Sequence, residues 1–305
     1  MDCKFDGGFT ESTNHSTWNF KCTVGLVTFL CIIASIILCI LTIYYQKYKV
    51  ATITVSSITI IFIIFLPVVI LYMVSAMLTI MIRTPEFLDK STYFPVHTIL
   101  ENPNIFNHLK SEVNNMLQNT RNGNDLTLTR DTYGGLNKNI GKDVKEVDGK
   151  TNGWRVLNIK AGKNYSPHAK HFPLLKKILE NHPEIMSCAI SVLEPGIKIP
   201  IHVGYYKGFM RYMLATHVPV NREDVFLCVN GKKYNWTEGE GVLWDDNYPH
   251  KVFNHTEETR VVIYMDIERP FTGMLKHINR AIMNLAANSK TVKNEVSRTE
   301  RQVKI

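Results

Sequence analysis

The N-terminal part of the chain contains two long stretches without a charged residue. The first lies between Lys21 and Lys47, and the second lies between Lys49 and Arg83. Each is longer than the roughly 20 apolar residues that a helix needs to cross a bilayer. The second also contains Pro67, where a helix can bend. The sequence therefore predicts two N-terminal transmembrane helices joined by a short loop.

The charges beside these stretches indicate an orientation. Lys47 and Lys49 lie in the short loop, and short loops that carry lysine or arginine tend to stay in the cytoplasm. This places the N-terminus and the large C-terminal part on the other side of the bilayer. The expected localisation is a multi-pass membrane protein with two spans and a soluble domain in the lumen of the endoplasmic reticulum, so the membrane is an expected partner.

Changes in composition along the chain divide it into segments. The net charge of +8 is concentrated near the C-terminus. An amphipathic helix followed by a basic tail is expected there, and its apolar face is marked by four residues at helical spacing, Met274, Ile278, Ile282 and Leu285. Beyond the charge itself no motif indicates nucleic-acid recognition, so no nucleic-acid partner is expected. The predicted segments are an N-terminal tail (1–22), two transmembrane helices (23–82), a connector and loop-rich region (83–152), a β domain (153–270), and a C-terminal helix with the basic tail (271–305).

The segment 153–270 is typical of a β fold. Short runs of β-branched and aromatic residues follow one another at spacings of about ten residues. Asn230 and Gly231 form the dipeptide most typical of a tight hairpin turn. Few helical patterns interrupt the runs, and the segment therefore predicts a double-sheet roll or barrel.

Two histidine–arginine pairs recur in this segment. His202 precedes Arg211 by nine positions, and His250 precedes Arg260 by ten. If each pair spans a hairpin turn, its two side chains face each other about 5 Å apart. Paired neutral imidazoles suit Fe(II) among other metals, and guanidinium groups suit the carboxylates of a diacid. Arg260 at the head of an apolar strand is costly to bury without an anion, which implies a carboxylate partner.

The third ligand of the usual mononuclear iron site is not present at its expected position. That ligand is a carboxylate, generally two residues after the first histidine, where this chain has Gly204. A glycine there leaves a coordination position open to water.

Two stretches carry a resemblance to a known family. They read ISVLEPGIKIPIHVGYYKGFMRYML and DDNYPHKVFNHTEETRVVIYMDIERP, with the motifs SxLxPG, HxG and DDxxxH and an arginine nine or ten positions after each histidine. In this combination, over roughly 153–270, the chain resembles the aspartyl/asparaginyl β-hydroxylase family of Fe(II)- and 2-oxoglutarate-dependent dioxygenases. The expected fold is mainly β: a double-stranded β-helix, jelly-roll or cupin-like, as catalytic domain, with the two N-terminal transmembrane helices.

The resemblance implies roles for five residues. It implies that His202 and His250 bind Fe(II) and act as the catalytic centre. It also implies that Arg260, helped by the Ser191 hydroxyl, holds the distal carboxylate of the cosubstrate 2-oxoglutarate, and that Arg211 meets the carboxylate nearest the metal.

Three further positions bear on the resemblance. Gly204 fits the HxG motif of the family, so the absent carboxylate agrees with it. Asp246 fits the acidic position four residues before the second histidine, which implies a supporting role beside the metal site. Many members carry a histidine two residues after the first arginine, whereas this chain has Met213.

The function implied is that of a membrane-anchored dioxygenase that hydroxylates aspartyl or asparaginyl side chains of a protein substrate. A lipid acyl-chain hydroxylase of the same family is one alternative, with a membrane lipid as partner. A non-enzymatic, membrane-bound binding module is another alternative, and Met213 is the residue that supports it.

Overall fold

The computed structural model describes Cys3 and residues 74–121, 129–130, 146–147, 150–151, 154–204 and 206–288. The chain divides into two compact units. One holds 84–204 and 208–305, and the other holds 2–83 with 205–207. In the second unit residues 74–81 are helical, and the Lys207 backbone N–H donates to Ser75 Oγ at 3.1 Å. The β fold and the candidate site lie in the first unit.

The helices and strands are named in chain order. The helices are α1 (Lys90–Tyr93), α2 (His97–Leu100), α3 (Pro103–Arg121), α4 (Pro173–Asn181) and α5 (Gly273–Ala287), with short 3-10 turns at Pro167–His171 and Arg222–Asp224. The outlying strands are β1 (Phe87–Leu88), β2 (Thr129–Arg130), β3 (Glu146–Val147), β4 (Lys150–Thr151), β5 (Trp154–Ala161) and β6 (Asn164–Tyr165). The central strands are β7 (Ile185–Leu193), β8 (Lys198–His202), β9 (Phe209–His217), β10 (Val225–Val229), β11 (Lys232–Asn235), β12 (Gly241–Trp244), β13 (His250–Asn254) and β14 (Arg260–Glu268).

The central strands form two antiparallel sheets. The larger sheet has the order β1-β12-β9-β14-β7-β5-β2, with β6 beside β5, and the smaller has the order β11-β10-β13-β8. From β7 to β14 the chain passes repeatedly from one sheet to the other. This topology is the double-stranded β-helix, and the prediction of a mainly β, jelly-roll fold is confirmed. The Asn230-Gly231 turn joins β10 to β11 as predicted, with φ of 47° and 82°, both in the region that a type I′ turn requires.

The apolar runs of β7 and β14 are continuous because the larger sheet is buried on both faces. On one face Ile190 and Ile263 pack under α3 and α4 in one hydrophobic cluster. On the other face Val262 and Tyr264 pack against the smaller sheet in a second cluster, with Trp244. Every residue of β14 is buried, including Arg260 and Asp266. Polar side chains in that strand therefore need partners inside the protein.

The predicted histidine–arginine hairpins are not formed. β8 and β13, which end and begin at the two histidines, pair with each other. β9 and β14, which carry Arg211 and Arg260, pair with each other in the larger sheet. Each turn therefore crosses between sheets instead of joining two paired strands, because the two strands that it connects belong to different sheets.

The predicted membrane localisation, with two spans and a domain in the lumen of the endoplasmic reticulum, is wrong. Among the helices that the structure describes, none is long and apolar enough to cross a membrane. Even α3, with 19 residues, carries Lys110, Glu112 and Arg121, charges that a bilayer interior disfavours. Most of the two predicted spans, residues 23–73, lies outside the described residues.

The C-terminal helix packs with a face that the sequence pattern did not indicate. In α5 the buried side chains are Asn279 and Met283, whereas Met274, Ile278 and Leu285 are exposed. The Asn279 side-chain amide donates to the Gly208 carbonyl at 3.0 Å. A hydrogen-bonded asparagine thus fixes the helix.

Candidate functional site

The two predicted metal ligands lie side by side on the smaller sheet. His202 at the end of β8 and His250 at the start of β13 are directly opposed in the strand register, and their ring centroids are 4.0 Å apart. The register shifts between His250 and Val252, an irregularity of the kind that re-aims side chains near functional sites. Strand pairing, and not a hairpin turn, brings the imidazoles together.

The environment of His250 keeps its imidazole neutral. The residue is 2 % exposed, and burial and the neighbouring His202 imidazole hold the pKa of His250 well below its usual value. Its Nδ1 lies 2.8 Å from the Tyr248 carbonyl oxygen. A proton on Nδ1 donates to that carbonyl and leaves the Nε2 lone pair as the metal-binding atom. The Trp244 ring packs edge-on against His250, with centroids 4.6 Å apart.

Gly204 is a glycine because another side chain fills the space beside it. A Cβ at this position would lie 2.4 Å from Cγ and Oδ2 of Asp246, and the Gly204 backbone N–H donates to the Asp246 carbonyl at 2.7 Å. The Asp246 side chain is itself 1 % exposed. Among the described residues no group of three or more histidines, cysteines and acidic residues is placed to hold a metal. The donor set present is therefore a pair of imidazoles, which fits a divalent transition metal that keeps other positions for small ligands.

Arg260 is a buried cation, and two of its three side-chain nitrogens have no hydrogen-bond acceptor within the described structure. It begins β14, is 1 % exposed, and its Nε and Nη2 have no hydrogen-bond partner within the described structure. The guanidinium carbon lies 5.3 Å from the centroid of the buried Trp236 ring. Burial lowers the pKa of Arg260 to about 9, so the guanidinium remains cationic at pH 7. Two unpaired donors on a buried cation fit a carboxylate ligand.

Ser191 lies on the same face of the larger sheet as Arg260. Ser191 is opposite Val262, and Arg260 is opposite Leu193, so the two side chains are diagonal neighbours across β7 and β14. The Ser191 Oγ accepts a hydrogen bond from Trp154 Nε1 at 3.0 Å. Because that bond uses a lone pair, the hydroxyl proton is left to donate, and Trp154 orients it.

Arg211 is held by two carboxylates. Its Nε and Nη2 donate to Asp266 Oδ1 at 3.0 and 2.9 Å, and Nη2 lies 3.2 Å from Asp246 Oδ2. The Ser187 hydroxyl donates to the other oxygen of Asp266. Trp244 lies between this group and the histidines. Its ring centroid is 5.9 Å from the Arg211 guanidinium carbon, and the same ring packs against the His250 imidazole. The position of the Arg211 guanidinium is thus set by two acidic neighbours.

Sequence reasoning missed Asp266 and Trp236. An acidic residue within the apolar run VVIYMDI is a signal that could have identified Asp266, because a buried carboxylate requires a cation opposite it, and Arg211 is its register partner. For Trp236 no local signal exists, since its stacking on Arg260 depends on how the sheets pack. Met213 lies opposite Tyr264, partly buried in the cluster between the sheets.

Asp266→Ala is expected to lower the free energy of unfolding by about 2–3 kcal/mol, because it removes charge-assisted hydrogen bonds from Arg211. Urea denaturation measures the change, and Asp224→Ala, at an exposed carboxylate, serves as the matched control. A double-mutant cycle with Arg211→Met isolates the pair. A coupling energy near zero would show that the two side chains do not support each other.

Comparisons with known proteins show which family the chain resembles. The sequence model described as aspartyl/asparaginyl beta-hydroxylase matches residues 106–270, more than half of the chain. The chain is similar to the ornithine lipid ester-linked acyl 2-hydroxylase of Rhizobium tropici, with 30% identity over 149 residues, 49% of this chain and 53% of that protein. It is also similar to the aspartyl/asparaginyl beta-hydroxylase of Homo sapiens, with 25% identity over 114 residues, 36% of this chain and 15% of that protein.

The chain spans about half the length, or less, of the curated relatives it matches. Among solved structures, a prolyl-4-hydroxylase of Pseudomonas putida aligns over 54% of this chain and 87% of its own, with a TM-score of 0.34 and 11% identity.

Proposed function

The chain belongs to the aspartyl/asparaginyl β-hydroxylase family, and from this membership we propose that it is a dioxygenase dependent on Fe(II) and 2-oxoglutarate. The observation that carries the proposal is Arg260, a buried guanidinium whose Nε and Nη2 have no partner among the described residues. A resident or visiting carboxylate removes the cost of that buried charge. A diacid cosubstrate supplies such a carboxylate each time it binds.

In this proposal His202 and His250 hold Fe(II) through neutral imidazoles. The Tyr248 carbonyl selects the tautomer of His250, and the Asp246 side chain fills the space beside Gly204 and contacts Arg211. Bound Fe(II) supplies the means to use dioxygen, converting 2-oxoglutarate to succinate and carbon dioxide while a substrate C–H bond becomes C–OH.

The remaining residues orient the cosubstrate. Arg260 binds the distal carboxylate of 2-oxoglutarate through its unpaired donors, and Ser191 adds the hydroxyl proton that Trp154 leaves available. Arg211, held in place by Asp266, meets the carboxylate nearest the metal. A fixed guanidinium loses little conformational freedom on binding, which favours a defined orientation of the diacid.

The proposed substrate is an aspartyl or asparaginyl side chain of a protein, as in the activity that names the family. An acyl chain of a lipid is the second candidate, and the match to the ornithine lipid acyl 2-hydroxylase favours it because that match covers more of this chain. The two candidates share their chemistry. The β-carbon of aspartate and the 2-carbon of an acyl chain both lie next to a carbonyl carbon.

A turnover assay with two substrate classes tests the proposal. The protein loaded with Fe(II) is expected to form succinate from 2-oxoglutarate in air. Mass spectrometry of a peptide library and of a lipid extract then identifies the product that gains one oxygen atom. Oxygen on aspartyl or asparaginyl residues supports the first candidate, and oxygen on acyl chains supports the second. If Fe(II) produces neither succinate nor an oxygenated product in either substrate class, the chain is a non-catalytic member of the family.

A further inference from the structure

A cavity lies away from the paired histidines. Its volume is about 490 Å³, within the range of small-molecule pockets. Its walls come from the β5–β6 turn, the end of α4, the start of β7, the end of β14 and one side of α5. None of the proposed iron or cosubstrate ligands lines it.

Two ammonium groups border this cavity, and neither forms a close ion pair with a carboxylate in the part of the chain that the structure describes; Glu180 and Glu184 act on Lys160 only at longer range. Lys160 is 6 % exposed, and its Nζ donates to the neutral Leu179 carbonyl at 3.0 Å. That bond leaves two N–H donors on the ammonium group. Lys163 is exposed at the rim. Burial lowers the pKa of Lys160, and an anion beside it would raise that pKa again.

The acidic residues around the cavity are already paired with other cations. Glu268 accepts from Arg280 Nε at 3.0 and 2.9 Å, and Glu180 lies 3.6 Å from Lys176. The charge that remains to attract a ligand is therefore positive. The rest of the lining is largely apolar, with Leu179, Pro183, Met186 and the ring of Tyr165.

The wall formed by α5 is fixed in place, so the cavity is formed before any ligand enters. Gly162 has φ of 59°, and a Cβ there would lie 2.4 Å from the Ala287 Cβ. The Arg280–Glu268 ion pair joins the same helix to the end of β14. A preformed cavity binds without a large ordering cost.

We propose that this cavity is a second ligand site that takes a small organic carboxylate with an apolar body. The carboxylate lies against the buried Lys160 ammonium, and the apolar body packs on Met186 and Leu179. Lys163 closes the rim with a second positive charge. A compact, highly charged anion such as phosphate fits less well, because only one ammonium is buried and the walls offer few other donors.

Methionine methyl groups give a direct test, because Met186 lines this cavity, whereas Met213 lies in the cluster between the two sheets, in β9 two residues after Arg211. Full-length protein labelled with ¹³C at the methionine methyl groups is titrated with benzoate, and separately with inorganic phosphate. Met186→Leu and Met213→Leu assign the two signals. Benzoate is expected to shift the Met186 signal saturably and to leave the Met213 signal unchanged.

Lysine variants show whether the charge is responsible. Lys160→Leu and, independently, Lys163→Leu are expected to weaken benzoate binding, by about tenfold for the buried lysine, the effect of losing one hydrogen bond to a charged group. Lys170→Leu, at an exposed lysine outside the cavity, is expected to bind as wild type does.

Three results would overturn the proposal. The first is the absence of a saturable benzoate-dependent shift of the Met186 signal. The second is wild-type benzoate affinity in both the Lys160→Leu and the Lys163→Leu variant. The third is a shift of the Met186 signal that phosphate produces and benzoate does not. Because the Met213 signal reports on β9 near Arg211 and not on this cavity, failure of this proposal leaves the proposed oxygenase function untouched.

Discussion

Alanine at His202 or at His250 is expected to reduce succinate formation to the background level of metal-free protein. Loss of a residue that only supports a metal ligand already costs about 10–100-fold in metal affinity or activity. Loss of one of two protein ligands must cost at least as much, because no third histidine, cysteine or acidic residue within the described structure is placed to take over. Iron affinity, measured by anaerobic calorimetric titration, is expected to fall by at least about 100-fold.

The two variants differ in their effect on the fold. His250 is fully buried against Trp244 and faces the Tyr248 carbonyl, so His250→Ala also leaves a cavity and an unpaired acceptor. It is expected to lose about 2–3 kcal/mol of stability. His202 is partly exposed, and His202→Ala therefore isolates the ligand effect.

His255→Ala is the matched control. His255 is exposed and lies just beyond β13, where its ring stacks on Phe253 with centroids 5.2 Å apart. We expect unchanged iron affinity and turnover in this variant. If the folded His202→Ala variant binds iron as tightly as wild type does, the His202–His250 pair is not the metal site.

The sequence pattern predicted the strands better than their connections. His202, His250, Arg211 and Arg260 all lie at the ends of strands or within them, because β-branched runs and turn residues are local signals. The pairing of those strands is not local. A ten-residue spacing fits a hairpin and a crossing between two sheets equally well, and only the burial of both layers decides between them.

The same reason explains which contacts could not be predicted. The Arg211–Asp266 pair joins strands that are neighbours in the larger sheet but distant along the chain, and the Trp236 ring over Arg260 depends on the packing of one sheet on the other. In α5 the apolar periodicity indicated one face, whereas the helix is fixed by a hydrogen bond from Asn279. The spacing of apolar residues predicts which face of a helix is buried. A buried side-chain amide that finds a hydrogen-bond partner can instead determine which face packs.

Arg260→Met is expected to change stability and cosubstrate affinity in opposite directions. In the cosubstrate-free protein, Nε and Nη2 of Arg260 have no partner among the described residues. The desolvation cost of such an ion is several kcal/mol, whereas its contact with the Trp236 ring returns at most about 2 kcal/mol. Methionine fills similar volume without a charge, and the free energy of unfolding is expected to rise by about 1–4 kcal/mol.

The pH dependence of that gain identifies the charge as its cause. The guanidinium has its ordinary, much higher pKa in the unfolded chain and a pKa lowered to about 9 by burial in the folded protein. Below pH 9 both states are protonated, and the cost of burial is present in full. Above pH 9 the folded state releases the proton while the unfolded state keeps it, so wild-type stability rises with pH relative to the variant. The stability difference is therefore expected to shrink above pH 9.

Binding of 2-oxoglutarate to the same variant is expected to weaken by at least about 100-fold, because a buried, charge-assisted contact to a carboxylate is lost. Denaturation with and without 2-oxoglutarate measures both effects in one experiment, since a ligand that binds only the folded state raises its stability. Arg222→Met, at an exposed arginine that donates to the Trp236 carbonyl, is the control and is expected to retain cosubstrate binding. Misfolding cannot imitate the expected result, because a misfolded variant loses affinity and stability together. A variant that is less stable than wild type and still binds 2-oxoglutarate tightly would show that the Arg260 guanidinium is satisfied without the diacid.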